Sequence, residues 1–156
     1  MDPTTVLYLA GSARSGTTLI ARTLAAFPDR VNVGELNYLW ERGVLHDELC
    51  GCGRPFSGCP FWSMVGQHAF GGWDLELAAR VLELRRRIGR DRHFWRHHAE
   101  SRCESTRSDV QEYVSYFEAV YEAIREVSGA AVIVDASKQP TLGLLLARHA
   151  GQDIRF

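Results

Sequence analysis

The residues best suited to chemistry lie near the amino terminus, in segment 11–18, which has the sequence Gly-Ser-Ala-Arg-Ser-Gly-Thr-Thr. Two glycines separated by four residues have the spacing of a phosphate-binding loop, because glycine lets backbone N–H groups converge on an anion. An apolar run precedes the loop and a helical pattern follows it, so a helix amino end would add partial positive charge. The segment predicts a site for a phosphate group; a plain turn between strand and helix is the alternative.

The charged residue of this loop stands in an unusual position. Loops that bind ATP or GTP have Lys directly after the second glycine, where it contacts the β- and γ-phosphates, and then a Ser or Thr that binds Mg²⁺. Here Thr17 occupies the lysine position, and Arg14 precedes Gly16 by two residues. The loop can therefore hold a phosphate but lacks the usual groups for a magnesium-bound nucleoside triphosphate.

Lys138 is the single lysine among the 18 Lys and Arg residues of the chain. In a chain that otherwise uses Arg, a lysine suggests a need for a compact, hydrogen-bonding point charge, since the two side chains are not interchangeable. Retention of one lysine by chance, with a solvated side chain, is the alternative. Glu35, which follows Gly34, is a second candidate; a carboxylate favoured by the amino end of a helix is the other interpretation.

The hydrophobic pattern along the chain alternates between short apolar runs and helical stripes. Strands are predicted at 6–10, 31–33, 131–134 and from 154, and helices at 17–26, 35–42, 74–88, 108–128 and 140–149. Ser108 resembles the start of a capping box, Gly43 is expected to end the second helix, and Pro140 suits a first helical turn. Strands alternating with helices predict an α/β fold with a mainly parallel sheet.

Segment 14–19, Arg-Ser-Gly-Thr-Thr-Leu after an apolar strand and Gly11, resembles the 5′-phosphosulfate-binding loop of sulfotransferases. The similarity is to the branch with Arg before Ser-Gly-Thr-Thr, which includes bacterial members and the protein-tyrosine sulfotransferases. Gly34-Glu35 resembles the Gly-Glu segment of that family, and 132–138 resembles the later strand and loop that place a Lys near the transferred group. Segment 50–62 resembles an insertion found in bacterial relatives.

This resemblance implies a P-loop NTPase-like three-layer fold and a donor, 3′-phosphoadenosine 5′-phosphosulfate (PAPS), whose product is adenosine 3′,5′-bisphosphate (PAP). Arg14 would neutralise charge on the leaving group, Lys138 would add a second positive charge, and Glu35 would take the proton from the acceptor. No metal would be required. The cofactor-binding residues implied are Gly11, Ser12, Ala13, Arg14, Ser15, Gly16, Thr17, Thr18 and Ser137; a helix cap is the alternative role for Ser137. The acceptor, a hydroxyl or amine of a small molecule, sugar, lipid or peptide, stays open.

The family has a further signature after the next strand, an Arg-Asp-Pro-Arg-like segment and a later Ser, which holds the 3′-phosphate. The chain ends at Phe156, before any such segment. We therefore expect one partial sulfotransferase domain over 1–156, truncated at its carboxyl end, with weak cofactor binding and little turnover. Within it we expect a cysteine-containing loop at 49–62 and a helical, acceptor-side insertion at about 63–129. A P-loop kinase or NTPase that binds ATP, and a non-catalytic remnant, are the alternatives.

The cysteine-containing loop offers a separate kind of chemistry. His46, Cys50, Cys52 and Cys59 are ligand types that zinc prefers, although the Cys-x-Cys spacing is tighter than in common zinc sites. A disulfide and ordinary buried thiols are the other interpretations of these residues.

The composition narrows the class of protein. A net charge of −1 gives no general attraction to nucleic acid or to a membrane surface. No window reaches the roughly 18 apolar residues of a membrane span. The amino terminus lacks the pattern of a signal peptide, so the sequence predicts a cytoplasmic location.

Overall fold

The structure is a computed structural model that describes residues 4–11, 15–94 and 104–156. Its sheet consists of four strands, β1 (Thr5–Ala10), β2 (Arg30–Gly34), β3 (Val132–Lys138) and β4 (Asp153–Arg155). The strand order is β2-β3-β1-β4, and every neighbouring pair is parallel. The predicted parallel sheet is therefore confirmed, with β3 running further than its apolar residues indicate.

Helices surround the sheet. The α-helices that lie within the described residues are α1 (Thr17–Ala25), α2 (Pro60–Phe70), α3 (Leu75–Leu84), α4 (Glu104–Ser128) and α5 (Pro140–His149). Short 3₁₀ helices span Leu36–Tyr38, Phe56–Gly58 and Asp91–His93, and π-helical segments span Leu39–Leu45 and Arg85–Gly89. Among the described residues, no helix is at once long enough and apolar enough for a membrane crossing.

The two faces of the sheet bury different side chains, because successive residues of a strand point to opposite faces. Val134 and Ala136 of β3 pack with Ala21 of α1 on one face. Ile133 of the same strand packs on the other face, in a larger core that includes Tyr121 of α4. The molecule is thus a three-layer α/β structure, with α1 on one side and α4 and α5 on the other.

The chain connections define a crevice at the carboxyl ends of the strands. The connection after β1 leads through α1 to β2, whereas the connection after β3 leads through α5 to β4. These two connections leave the sheet in opposite directions, so β1 and β3 flank a topological switch point. Open α/β sheets bind ligands at this position. The backbone N–H of Gly11 donates to the carbonyl oxygen of Lys138 across it, at 3.3 Å.

The segment after β2 folds differently from the single helix predicted for 35–42. It forms the 3₁₀ helix Leu36–Tyr38 and then the π-helical segment Leu39–Leu45, so the prediction that Gly43 ends the helix is wrong. Gly43 is instead a packing position, because a Cβ there would lie 2.8 Å from Cδ2 of Phe56. Glycine is needed at this position because the ring of Phe56, from a later segment, packs against it. The local sequence around Gly43 does not reveal this tertiary contact.

The capping box predicted at Ser108 is also wrong, because α4 begins at Glu104 and Ser108 lies inside it. The helix predicted over 74–88 divides into α3 and the π-helical segment Arg85–Gly89. Its start is confirmed, since Oδ1 of Asp74 accepts from the backbone N–H of Glu76 at 2.8 Å. Pro140 begins α5 as expected. Helix α2 was not predicted, because its small and aromatic residues show no clear helical stripe.

Gly66 provides a test of the packing around α2. A Cβ on Gly66 would lie 2.5 Å from Nε1 of Trp73, whose N–H donates to the carbonyl oxygen of Trp62 at 2.7 Å. We expect Gly66→Ala to lower the free energy of unfolding by about 1–3 kcal/mol, the usual range for overpacking. This loss would occur although Ala is a better helix former by ~1 kcal/mol.

The measurement is urea denaturation of Gly66→Ala, of a control variant and of the parent chain. Gly58→Ala is the control, because the nearest neighbour of its Cβ would be Cδ of Pro55, at 4.0 Å. A Gly66→Ala protein as stable as the parent chain would contradict the close packing of Trp73 on α2.

Candidate functional site

The segments that follow the first three strands meet at the crevice. Glu35 directly follows β2, Lys138 ends β3, and the glycine loop follows β1. Nζ of Lys138 donates to Oε1 of Glu35 at 2.7 Å, although the residues are 103 positions apart in the chain. The side chains are 19% and 34% exposed, respectively, so the ion pair is partly shielded and still accessible. The structure therefore brings together two of the three predicted catalytic residues.

The backbone is irregular on all three strands at the level of this ion pair. Lys138 has a φ of 64°, which is uncommon for a residue with a side chain, and Gly34 has a φ of 71°. The pairing of β3 shifts register opposite Tyr8/Ala10 of β1 and opposite Asn32/Gly34 of β2. Such irregularities redirect side chains and concentrate near functional sites. Here they lie beside Glu35 and Lys138.

The described part of the glycine loop has the geometry of an anion-binding helix start. Gly16 is the residue before α1 and has a φ of 76°, with no side chain capping the helix and no acidic residue in its first turn. The first amides of a helix have no partner within it, so those of Thr17 and Thr18 are suited to an anion. Thr17 is buried and Thr18 is exposed. The predicted residues Ser12, Ala13 and Arg14 lie outside the described residues.

A buried polar network lies beneath the ion pair. The carboxylate of Asp135 is fully buried and accepts from the hydroxyl of Tyr121 at 2.6 Å. It also accepts from the backbone N–H of Ser137 at 2.8 Å and from its hydroxyl at 2.5 Å. The Ser137 oxygen in turn accepts from the backbone N–H of Asn37 at 2.9 Å. This chain of contacts links α4 and β3 to the 3₁₀ helix that follows Glu35.

These contacts give Ser137 a positioning role. Its side chain is buried, its hydroxyl is bonded on both sides, and the residue that precedes α5 as its cap is Gln139. The alternative prediction that Ser137 caps α5 is therefore wrong. Its predicted contact with a nucleotide stays a prediction.

Electrostatics in the network reflect its burial. Burial raises the pKa of Asp135, while the hydrogen bonds from Ser137 and Tyr121 oppose that rise. Burial and the nearby Asp135 carboxyl raise the pKa of Tyr121 well above its ordinary value. For both groups, burial disfavours the charged form. Sequence reasoning missed this role of Asp135; its one signal was a carboxylate directly after an apolar strand.

A cleft of about 620 Å³ opens beside Glu35. Its walls come from α1, the end of β2, the π-helical segment Leu39–Leu45 and the cysteine-containing loop, and Phe56 and Trp62 contribute apolar surface. Polar groups on its lining include those of Thr18, Arg22, Glu35, Arg42, Glu48 and Cys50. This volume is that of a small-molecule site. The cleft was not predicted, because segments far apart in the chain assemble it.

The cysteine-containing loop brings its three thiols together. The Sγ atoms of Cys50, Cys52 and Cys59 all lie within 4.8 Å of one another, and all three residues are free cysteines. His46 is exposed and does not belong to this group, in the part of the chain that the structure describes. The four-ligand zinc set considered from sequence is therefore reduced to three thiols.

The comparisons with known proteins give no independent assignment. No protein-family model, no curated protein and no solved structure matches this chain.

Proposed function

We propose that this chain binds PAPS at the switch point between β1 and β3 and transfers the sulfuryl group to a hydroxyl or amine in the adjacent cleft. The observation that carries the proposal is the 2.7 Å ion pair of Glu35 and Lys138 beside the start of α1. This arrangement places a proton acceptor, Glu35, and a cation, Lys138, beside a helix end suited to an anion. Sulfuryl transfer needs these three elements. The P-loop NTPase-like character of the fold belongs to this proposal.

The phosphate side of the site would be held by α1. Its first amides and the hydroxyls of Thr17 and Thr18 are suited to the 5′-phosphate, because the helix amino end favours negative charge. Bound PAPS would supply an activated sulfuryl group and PAP as leaving group. Arg14 would stabilise the charge on the leaving group, as cationic side chains do in phosphoryl transfer.

The acceptor side of the site would be organised by Glu35. Its carboxylate lines the cleft, so it can take a proton from an acceptor hydroxyl or amine that enters there. Lys138 holds that carboxylate in place and brings positive charge to the crevice. Holding both groups on strand ends stabilised by the Asp135 network keeps their positions fixed, and positioning is a large part of catalysis by transfer enzymes.

Ligand binding tests the proposal directly. PAP at saturating concentration is expected to raise the midpoint of thermal unfolding, since a ligand at about 100 times its dissociation constant adds ~2.7 kcal/mol of stability. Mg-ATP is expected to give a much smaller shift, because Thr17 stands where a triphosphate site needs Lys. A shift with Mg-ATP alone would overturn the proposal in favour of a kinase or NTPase, and a shift with neither would favour a non-catalytic domain.

A matched pair of variants locates the site. Arg14→Ala is expected to weaken PAP binding at least about 10-fold, the effect of losing one charge-assisted hydrogen bond. Arg30→Ala is the control, because Arg30 starts β2 at the opposite end of the sheet and stacks on Phe27. Isothermal titration should show PAP affinity lost in the first variant and retained in the second. Equal affinities would place the nucleotide elsewhere.

A further inference from the structure

The turn that carries Cys50 and Cys52 is held by its backbone. The backbone N–H of Cys50 donates to the carbonyl oxygen of Arg54, and that of Gly53 donates to the carbonyl oxygen of Cys50, both at 2.8 Å. Gly53 adopts a φ of 81°, which favours glycine. Cys50 packs partly against the core, whereas Cys52 is exposed, so apolar packing does not explain why the Cys52 thiol lies close to Cys59.

We propose that Cys50, Cys52 and Cys59 together bind one Zn²⁺ ion through three thiolates. Their sulfurs all lie within 4.8 Å of one another, and tetrahedral coordination at a Zn–S distance of about 2.3 Å would bring them to about 3.8 Å. Thiolate sulfurs select soft cations such as zinc over magnesium or calcium. Binding releases the thiol protons to solvent, and the fourth position is open to water.

The position of the site gives it a structural role. Cys59 is buried beside Phe56 and Trp62 and precedes α2, whereas Cys52 is exposed at the rim. Zinc would therefore fasten the exposed turn to the core along one wall of the cleft. This inference does not depend on the proposed sulfuryl transfer, which requires no metal, and PAP binding and zinc binding are tested separately.

Cobalt substitution and metal analysis test the site on the full chain. The chain is stripped with a chelator under reducing conditions and titrated with Co²⁺, then with Zn²⁺. We expect a thiolate-to-cobalt charge-transfer band that saturates at one ion per chain, tetrahedral d–d bands, and loss of both when Zn²⁺ is added. A chain with all thiols reduced that gives no such band would overturn the proposal.

Variants assign the ligands. Cys52→Ser is the main test, because Cys52 is exposed and its replacement should not disturb the core. Loss of a direct ligand should weaken Zn²⁺ binding by more than about 100-fold, since even outer partners contribute 10–100-fold. Cys50→Ser is expected to act in the same way, and circular dichroism checks that both variants fold.

Two controls distinguish this zinc site from a different ligand set and from a disulfide. His46→Ala and Cys103→Ser should leave the cobalt spectrum unchanged, and a loss in either would overturn the three-thiolate assignment. A count of free thiols in denaturant, without added reductant, should give all four cysteines of the sequence. A count lower by two would identify a disulfide and also overturn the zinc site.

Discussion

Glu35→Gln should slow the proposed sulfuryl transfer by about 10²–10⁴-fold, the usual contribution of a general base, while PAP affinity stays unchanged. Gln keeps the size of the side chain but cannot accept the acceptor's proton. The nucleotide would be held by α1 and its loop, which do not contact the Glu35 side chain in the proposed arrangement. A rate effect without an affinity effect is therefore the signature of a role in the chemical step.

The measurement is single-turnover transfer from radiolabelled PAPS to a panel of hydroxyl and amine acceptors, with PAP affinity determined by titration. Glu48→Gln is the matched control, because Glu48 lines the same cleft but forms no ion pair with Lys138. An unchanged rate in Glu35→Gln, or an equal loss in Glu48→Gln, would remove Glu35 from the role of base. The control also reports whether any carboxylate on the cleft wall affects acceptor binding.

Lys138→Met extends the same experiment. Lys138 contacts Glu35, so the two residues should act as a unit, and the double variant should lose far less than the product of the two single effects. Independent, multiplicative losses would mean that the ion pair has no part in positioning Glu35.

The sheet and its first connection could be predicted from sequence because their signals are local. A short apolar run, a glycine loop and a helical stripe identify β1 and α1 without knowledge of the rest of the chain. The same holds for Lys138 and Glu35 as individual candidates. Their contact depends on β2 lying beside β3, which is a property of strand order, and hydrophobic periodicity carries no information about strand order.

The parts that could not be predicted depend on contacts between distant segments. The local sequence predicts that Gly43 ends a helix, yet in the structure the ring of Phe56 packs against Gly43. The cleft assembles from α1, the end of β2 and the cysteine-containing loop, and the start of α4 lies upstream of the cap-like Ser108. In each case tertiary packing overrides a local preference, as it commonly does for helix boundaries.

The largest effect on stability is expected at Asp135. Asp135→Ala should lower the free energy of unfolding by about 3 kcal/mol, because it leaves the Tyr121 hydroxyl and two donors of Ser137 buried without their acceptor. Asp153→Ala is the control. Its carboxylate pairs with Arg155 at the surface, and such pairs contribute less than about 1 kcal/mol. Equal losses in urea denaturation would contradict a special role for the network.

The pH dependence of Asp135→Asn gives a sharper test. The pKa of Asp135 is raised in the folded chain, mainly by burial, from an ordinary value of 3.8. At pH values between 3.8 and the raised pKa of the folded chain, the folded state binds more protons than the unfolded state. The free energy of unfolding therefore falls as the pH rises through this range. Asn cannot titrate, so the Asp135→Asn variant lacks this dependence of stability on pH. The stability advantage of the parent chain over Asp135→Asn should therefore be largest below about pH 4 and shrink as the pH rises through the raised pKa. An advantage that grows with pH instead would mean that the hydrogen bonds from Tyr121 and Ser137 outweigh burial and hold Asp135 as a carboxylate.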